Sequence, residues 1–390
     1  MLCDKIKSMK QYDVIIIGAG AAGLAAAAQV IANGKTVAVF DMGATPARKV
    51  MVSGGGRCNL TNTAARFDRY FGKNPNFVRG ALSRVSPNDI LDWANEHKLK
   101  LSEKTPGRFF CDDGAGAVVT ALMQDASGAD FVFNTKIQSV KKTGGYFVVN
   151  NRAAKSLIVA TGGISFSNLG VSDSGYKIAM DFGHTIVPVK PGLCALDLEY
   201  FPSEMAGISV DAKITVGKNS LCDSLLFTHV GIGGPAAYRA SLFDIENNDM
   251  TINLVPGVDL LQQLKSIKQT NGKRAIISVL NEYLPARISR WIIRDNNKNI
   301  ADIKDCDLSE IVRKICDIKI PHHKIKYRGL NSAEIVQGGV CTDEISSKTM
   351  ESKLCPGLFW AGEVIDIAGD LGGFNLQWAW ASGRVAGQNA

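Results

Sequence analysis

The sequence lacks the features that mark disordered, fibrous and disulfide-rich proteins. Its 390 residues include only 12 prolines, and no run of five charges of one sign occurs in them. A composition of 46% hydrophobic and 21% charged residues indicates a globular chain, long enough for two or three domains. The nine cysteines are odd in number and include no C-x-x-C pair, which indicates reduced thiols in a cytoplasmic protein.

The net charge is small and dispersed. The chain has 44 basic and 37 acidic side chains, a balance of +7. That charge is too diffuse for a dedicated nucleic-acid binder, so we expect a small-molecule substrate and no nucleic-acid partner. His322 and His323 are adjacent in an extended stretch without a nearby carboxylate, so we expect no metal site. No sequence feature defines an oligomeric state.

The longest apolar stretch, residues 14–32, predicts a strand and a helix rather than a membrane span. A β-branched run at 14–17 changes abruptly at a glycine turn to an alanine-rich segment. The turn has the pattern G-x-G-x-x-G, in which Gly18 permits the tight bend, Gly20 lets backbone approach a pyrophosphate, and Gly23 allows close packing. Ala21 and Ala22 open a helix whose N–H groups would face the phosphates.

A second strand, residues 36–40, ends at Asp41. A carboxylate at this point can accept hydrogen bonds from ribose hydroxyls, so strand, turn, helix and acid together predict a bound dinucleotide. The next segment favours FAD over NAD, because three consecutive glycines between Ser53 and Arg57 offer backbone to a flat ring and a phosphate. We expect this stretch to bind the cofactor through Arg48, Lys49, Ser53, Gly54, Gly55, Arg57, Cys58 and Asn59.

Two distant segments also indicate FAD. Residues 131–140 and 146–150 predict a hairpin that leads into a buried strand ending at Thr161 and Gly162. Residues 357–363 predict another strand, ending at Gly362 and Glu363, where FAD proteins commonly carry an acid. A helix then opens beside the flavin, and its N-terminus would stabilise the negative charge of the reduced ring. Its expected contacts are Gly372, Gly373, Asn375 and Leu376.

Three motifs resemble those of a known family. They are S-G-G-G-R-C-N-L-T-N at 53–62, F-T-H-V-G-I-G-G-P-A at 227–236, and G-E-V-I-D with G-G-F-N-L-Q-W-A-W-A-S-G at 362–383. They are similar to motifs of the BaiN/RdsA (YhiN-type) flavoproteins, bacterial NAD(P)/FAD-dependent oxidoreductases, over nearly the whole chain. The resemblance implies FAD binding by Gly18, Gly20, Gly23, Asp41, the 54–59 loop, Glu363 and residues 372–377. It also links the chain to reduction of conjugated steroid enones and, in a related branch, to oxidation of aminoacetone.

We therefore expect an α/β fold, in which an FAD-binding Rossmann-type (glutathione-reductase-like) domain carries an inserted β-plus-helix cap or substrate domain. The FAD-binding domain would comprise residues 1–190 and 332–390, and the insertion residues 191–331. In the insertion, alternation predicts strands at 193–216, 221–228 and 250–255, and helical spacing follows over 258–317. Residues 336–340 are expected to return to the Rossmann sheet, while the insertion supplies the substrate pocket.

Three functions stay open at this stage. The first is NAD(P)H-driven reduction of a small conjugated enone or carbonyl compound by hydride transfer from flavin N5, with His229 as the proton donor. Arg57 is the second catalytic candidate, for binding a substrate carboxylate. Because no second G-x-G-x-x-G occurs, either NAD(P)H binds only transiently or the reductant is not NAD(P)H. The alternatives are an FAD-dependent amine oxidase that produces hydrogen peroxide, and a flavoprotein partner in RNA modification.

Overall fold

The computed structural model describes Ile6, residues 8–199 and residues 203–390. The chain forms two compact units, one of Met1–Lys190 with Glu334–Ala390 and one of Pro191–Ala333. Each unit has a separate cluster of buried hydrophobic side chains.

The strands of the described residues are, in chain order, β1 Lys10–Ile17, β2 Val37–Phe40, β3 Asn59–Asn62, β4 Tyr70–Phe71, β5 Leu101–Thr105, β6 Arg108–Cys111, β7 Asp130–Val132, β8 Val140–Thr143, β9 Tyr146–Val149, β10 Arg152–Val159, β11 Ile186–Gly192, β12 Leu196–Leu198, β13 Ser209–Val216, β14 Asn219–Thr228, β15 Gly231–Gly233, β16 Met250–Asn253, β17 Ile318–Ile320, β18 Ile325–Tyr327, β19 Ile335–Val340, β20 Leu358–Trp360 and β21 Ala368–Gly369. The α-helices are α1 Ala21–Ala32, α2 Arg48–Val52, α3 Arg79–Leu82, α4 Pro87–Glu96, α5 Ala115–Asp125, α6 Ser174–Asp181, α7 Gly234–Ala240, α8 Leu260–Thr270, α9 Ile276–Leu280, α10 Ala286–Ile293, α11 Asp305–Cys316 and α12 Phe374–Asn389.

The central sheet of the first unit is mostly parallel. Strands β7, β2, β1 and β10 lie side by side in that order, and β20 pairs with the carboxyl half of β10. The hairpin β8–β9 pairs with its amino half in antiparallel fashion. Strands β1, β2 and β10 consist largely of buried Val, Ile, Leu and Ala, as expected for a parallel sheet covered on both faces.

Helices α1 and α12 pack together through small residues. A Cβ added at Gly383 or at Gly387 of α12 would lie 2.3 Å from the carbonyl oxygen of Ala22 or Ala26 in α1, respectively. Only glycine allows two helix backbones to approach so closely. The alanine- and glycine-rich sequences of both helices therefore bring the end of the chain against the first helix.

Three small sheets complete the first unit. Strand β6 lies between β3 and β5, β4 pairs with β21, and β11 pairs with β19. The second unit is built on a sheet in the order β17-β16-β13-β14-β15-β12-β18, whose neighbours all run antiparallel. Helix α7 packs on β13 and β14, and helices α8 to α11 belong to the same hydrophobic cluster.

The α/β class, with a Rossmann-type domain and an inserted β-plus-helix part, is confirmed, but three strand assignments were wrong. Residues 131–140 were expected in one hairpin strand. Instead β7 pairs in parallel with β2 at the sheet edge, and Asn134, at φ +52°, breaks the chain before β8. Residues 336–340 were expected in the Rossmann sheet, but β19 pairs with β11, and β20 takes the place beside β10.

The expected first strand of the insertion, residues 193–216, was also too long. It contains the separate strands β12 and β13, between which residues 200–202 lie outside the described part. Among the described residues, no helix has the length and apolar character needed to cross a bilayer.

Candidate active site

The carboxyl ends of four parallel strands meet at one edge of the central sheet. Ile17 is aligned with Phe40 on one side and with Val159 on the other, and Val159 is aligned with Trp360. Each of these residues is followed by a segment that the sequence predicted to bind the cofactor. Since ligands of open α/β sheets bind outside the carboxyl ends of the strands, this edge is the candidate site.

The first glycine turn is held tightly where it packs and is open where a ligand would approach. A Cβ at Gly18, whose φ is +107°, would lie 2.3 Å from Ala160 O, and one at Gly23 would clash with Gly18 O. A Cβ at Gly20 would meet no atom within 4 Å. Gly20 caps α1 without any side-chain hydrogen bond, so no side chain covers the positive end of this helix.

Asp41 organises the loops around this turn. Its carboxylate accepts hydrogen bonds from the backbone N–H groups of Ala19 at 2.8 Å and Gly43 at 2.7 Å. It also pairs with Arg48 at 3.2 Å, and Arg48 donates in addition to the carbonyl oxygen of Leu169. The predicted ribose ligand therefore also fixes the bend that follows β1.

The triple-glycine loop is an exposed backbone surface. Gly54, Gly55 and Gly56 all have φ between +58° and +81°, a region that side chains with a Cβ disfavour. A Cβ added at Gly55 or Gly56 would meet no atom within 4 Å, and both residues are exposed. The Ser53 hydroxyl bonds back to Val50 O at 2.8 Å, which anchors the start of the loop on α2.

Cys58 ends this loop as a buried thiol. It is fully buried, with a φ of +49°, and burial raises its pKa to about 12. Its neighbour Cys111 is also fully buried and donates its backbone N–H to Arg57 O at 2.9 Å. A thiol with so high a pKa stays protonated at neutral pH, so Cys58 is not a nucleophile in this structure.

Glu363 and Lys49 form an ion pair. The Lys49 ammonium lies 2.8 Å from the Glu363 carboxylate and 2.7 Å from the Ser165 hydroxyl, and both partners are partly buried. The other carboxylate oxygen accepts the backbone N–H of Val336 at 2.9 Å. Thr161 and Gly162 lie at the end of β10; Gly162 has a φ of +72° and no atom within 4 Å of an added Cβ.

The C-terminal turn is fixed to the triple-glycine segment by buried side chains. Thr61 donates to Gln377 Oε1 at 2.6 Å, Asn62 donates to Gly372 O at 2.7 Å, and Trp380 Nε1 donates to Leu60 O at 2.9 Å. These contacts bring the 53–62 and 372–383 motifs together, although about 310 residues separate Asn62 and Gly372 in sequence.

The polar side chains of the turn before α12 bond within the turn itself, and none of them caps the N-terminus of the helix. Asn375 both accepts from and donates to the backbone of Gly369, at 2.7 and 2.9 Å. Gly373, at φ +92°, is the N-cap and no side chain bonds to the helix terminus. Leu376 is only partly buried. The start of a sixteen-residue helix therefore keeps its positive end available.

These residues fit the FAD that the sequence predicts. Asn59 Oδ1 is buried and accepts no hydrogen bond within the described part of the chain, so a donor such as a ring N–H would satisfy it. The open backbone at Gly20, Gly55, Gly56 and Gly162 and two uncapped helix N-termini suit phosphates and a ring that accepts negative charge. In the described residues no group of three or more His, Cys, Asp or Glu side chains is placed to hold a metal ion.

The sequence reasoning missed several residues of this region. The Arg108 guanidinium lies against Gly372, where a Cβ would clash with it. Trp378 Nε1 donates to Gly362 O at 3.1 Å, and the Ser382 hydroxyl accepts the Gly362 N–H at 2.9 Å. The W-A-W-A-S-G spacing was a signal for these contacts, since residues four apart lie on one helix face.

The two catalytic candidates lie in different parts of the chain. Arg57 is exposed on the triple-glycine loop, with its Cζ 5.9 Å from the centre of the Phe110 ring. His229 is exposed directly after β14 of the second unit, between Thr228 and Val230.

Fold and site together define a dinucleotide-binding flavoprotein of the oxidoreductase class. The family described as HI0933-like protein Rossmann domain matches residues 12–389, and the chain belongs to it. This confirms the resemblance to the BaiN/RdsA (YhiN-type) flavoproteins. The protein is an enzyme, an FAD-dependent oxidoreductase.

Similar proteins cover almost the whole chain. The ribosomal RNA dihydrouridine synthase of Escherichia coli is 35% identical over 98% of both chains. The 3-dehydro-bile acid delta(4,6)-reductase of Clostridium scindens is 27% identical over 96% of this chain and 98% of its own. Among solved structures, the 3-ketosteroid delta1-dehydrogenase of Sterolibacterium denitrificans has a TM-score of 0.52 at 12% identity, over 97% of this chain and 99% of its own, which bears on the fold alone.

Proposed function

We propose that this enzyme reduces a carbon–carbon double bond conjugated to a carbonyl group, and that its substrate is a uridine in RNA. The 35% identity to a ribosomal RNA dihydrouridine synthase over nearly all of both chains carries this proposal. Dihydrouridine is uridine whose C5–C6 bond has been reduced, and that bond is conjugated to the C4 carbonyl. The substrate is then a nucleic acid, whereas the sequence analysis expects a small molecule.

The bile-acid reductase relative supports the same reaction on a different molecule. A 3-oxo group conjugated to 4,6 double bonds makes ring carbons electron-poor toward a hydride, as the C4 carbonyl of uracil does for C6. The reductive chemistry in the proposal therefore rests on both relatives, and the choice of uridine rests on the more similar one.

The reductant in this proposal is NAD(P)H, which binds transiently. One molecule of NAD(P)H and one proton are consumed for each double bond, and NAD(P)⁺ and the saturated product are released. When bound, FAD supplies a hydride from N5 to the carbon β to the carbonyl. The chain would hold the cofactor with the residues predicted above, and the positive ends of α1 and α12 would stabilise its negative charges.

His229 is our proposal for the acid that protonates the carbon α to the carbonyl. Histidine is the side chain that enzymes use most often for proton transfer, and His229 is exposed. Arg57 would bind an anionic group of the substrate. A His229→Gln variant that retained FAD but reduced substrate at the wild-type rate would remove His229 from this role.

The experiment is anaerobic. The FAD-loaded protein is mixed with NADPH or NADH, and the flavin absorbance is followed. Ribosomal RNA that lacks the modification is then added, and its nucleosides are analysed by mass spectrometry. We expect bleaching by a nicotinamide cofactor, reoxidation by RNA, and uridine that has gained two hydrogens. Reoxidation by a steroid enone but not by RNA would assign a small-molecule substrate; bleaching by aminoacetone alone would indicate an amine oxidase.

A further inference from the structure

The segment around the triple-glycine loop has a local excess of basic residues. Residues 47–84 contain eight Arg and Lys side chains and a single acid, Asp68. That local excess equals the net charge of the whole protein. The small net charge of the whole chain therefore does not exclude a locally positive segment, and this one includes the triple-glycine loop.

Several of these cations are already neutralised by the site. Arg48 pairs with Asp41, Lys49 with Glu363, and Arg69 with Asp370. Arg57 has no ion pair among the described residues; its guanidinium faces the ring of Phe110 instead. The charge of Arg57 is therefore not neutralised by an acidic side chain of the described residues.

The β5–β6 hairpin carries two more cations, one near the ring of Phe110 and one at the start of α12. The Lys104 ammonium lies 6.0 Å from the centre of the same Phe110 ring, and the Arg108 guanidinium lies against Gly372 at the start of α12. In the part of the chain that the structure describes, neither side chain forms an ion pair. The acid of this hairpin, Glu103, accepts the Gly107 N–H at 2.5 Å within the hairpin turn.

Phe110 connects this cluster to the candidate flavin site. Its ring is partly exposed, and a Cβ added at Gly54 would lie 3.0 Å from its edge. An aromatic ring thus packs on the triple-glycine loop, with an exposed cation near it on each neighbouring segment. Exposed cations around a ring are the elements with which proteins bind the phosphates and bases of single-stranded nucleic acid.

We propose that Arg57 and Lys104, the two exposed cations near the ring of Phe110, form with that ring the docking surface for the RNA strand that carries the target uridine. The cations would contact phosphates on either side of that nucleotide, and the Phe110 ring would stack on a neighbouring base. This inference rests on the proposed function. RNA fits better than a small acidic metabolite because the charges are exposed and spread over two segments, whereas small ligands are held in concave pockets.

The test measures RNA binding without catalysis. A fluorescein-labelled, single-stranded 20-nucleotide RNA rich in uridine is titrated with the FAD-loaded protein, and anisotropy is recorded over a range of KCl concentrations. The variants are Lys104→Gln, Arg57→Gln and the double variant, and Lys141→Gln on the β8–β9 hairpin is the charge-matched control. Flavin absorbance of each variant shows whether the site is intact.

Each substitution at the cluster is expected to lower the slope of log Kd against log salt by about 0.7, and the double variant by about twice as much. Phe110→Leu is expected to weaken binding by about tenfold without changing the slope, because stacking carries no charge. Lys141→Gln should match the wild type apart from a small general effect of charge.

The surface assignment is refuted if Lys141→Gln and Lys104→Gln weaken binding equally, or if the wild type does not bind the RNA. Failure of the proposed function has a different signature, because wild-type protein would then bind RNA through this cluster and yet form no dihydrouridine in ribosomal RNA. Dihydrouridine formation that is insensitive to Lys104→Gln and Arg57→Gln at limiting RNA would overturn the docking surface alone.

Discussion

The close packing of α1 against α12 gives a sharp test of how the fold presents the dinucleotide turn. Gly383 and Gly387 make nearly identical approaches to α1, since an added Cβ at either position would lie 2.3 Å from a carbonyl oxygen. The two contacts differ in their position along α1. Gly383 contacts Ala22 in the first turn of the helix, and Gly387 contacts Ala26 one turn further along. Substituting each with alanine applies the same perturbation at two distances from the candidate phosphate site.

The size of the effect follows from the geometry. Ordinary Cβ contacts begin at 3.4 Å, so either alanine requires the two backbones to separate by about 1.1 Å. Overpacking of a well-packed core costs about 1–3 kcal/mol, and replacing a helical glycine with alanine returns up to about 1 kcal/mol. We therefore expect Gly383→Ala and Gly387→Ala to lower the free energy of unfolding by similar amounts, about 1–2 kcal/mol each.

The two variants should differ in their affinity for FAD. A shift at Ala22 would move the N–H groups that we expect to face the pyrophosphate, whereas a shift at Ala26 would occur one turn behind them. We expect Gly383→Ala to raise the Kd for FAD about tenfold and Gly387→Ala to raise it about twofold, since one tenfold step corresponds to about 1.4 kcal/mol. Urea denaturation of the apoprotein and quenching of flavin fluorescence measure the two quantities. Equal losses of FAD affinity, or a larger loss in Gly387→Ala, would refute this account of the turn.

Three further changes test other parts of the structure. Asp41→Asn replaces one acceptor oxygen by an NH₂ group that faces N–H donors, so the free energy of unfolding should fall by about 1–3 kcal/mol in urea denaturation, and an unchanged value would contradict the role of Asp41 in fixing the bend. Cys58, whose pKa burial raises to about 12, should resist iodoacetamide at pH 8 in the native protein and react in urea, as judged by peptide mass spectrometry; native labelling would contradict its burial. His184 has a pKa that burial lowers, so the unfolded chain takes up a proton at higher pH than the folded protein does. Stability should therefore fall as the pH is lowered from 7 to 5, and His184→Gln should flatten that dependence.

The sequence predicted the elements whose signals are local. Residues 14–23 contain a β-branched run followed by a specific spacing of glycines, and the strand before Asp41 is a short hydrophobic run. Both segments adopt the expected strand, turn and helix. The capping box that opens α4 is equally local, because Ser86 and Asp89 are three positions apart. Signals of this kind depend on residues a few positions apart.

Pairings between distant segments could not be predicted in the same way. Residues 335–340 are apolar enough for the central sheet, yet Gly338 and Gly339 let them approach Pro188 and Val364 so closely that they pair with β11. Lys49 and Glu363 were both predicted as cofactor ligands, but their ion pair joins positions 314 residues apart. A single sequence does not indicate which lysine pairs with which glutamate, since the chain contains many of both.

The buried amides and indoles of α12 explain how a loop of three glycines can form a defined site. Glycines lose more conformational entropy on folding than other residues, so residues 54–56 would not hold one backbone conformation by themselves. Their continuation, β3, is bound to α12 by Gln377 and Trp380, whose side chains are buried and hydrogen-bonded to Thr61 and Leu60. Gln377 also donates to Val85 O at 2.9 Å, so one side chain joins three segments of the first unit. Because these contacts form within the protein, the conformational entropy of the loop is lost on folding rather than on ligand binding. The loop backbone is therefore already ordered before the cofactor binds.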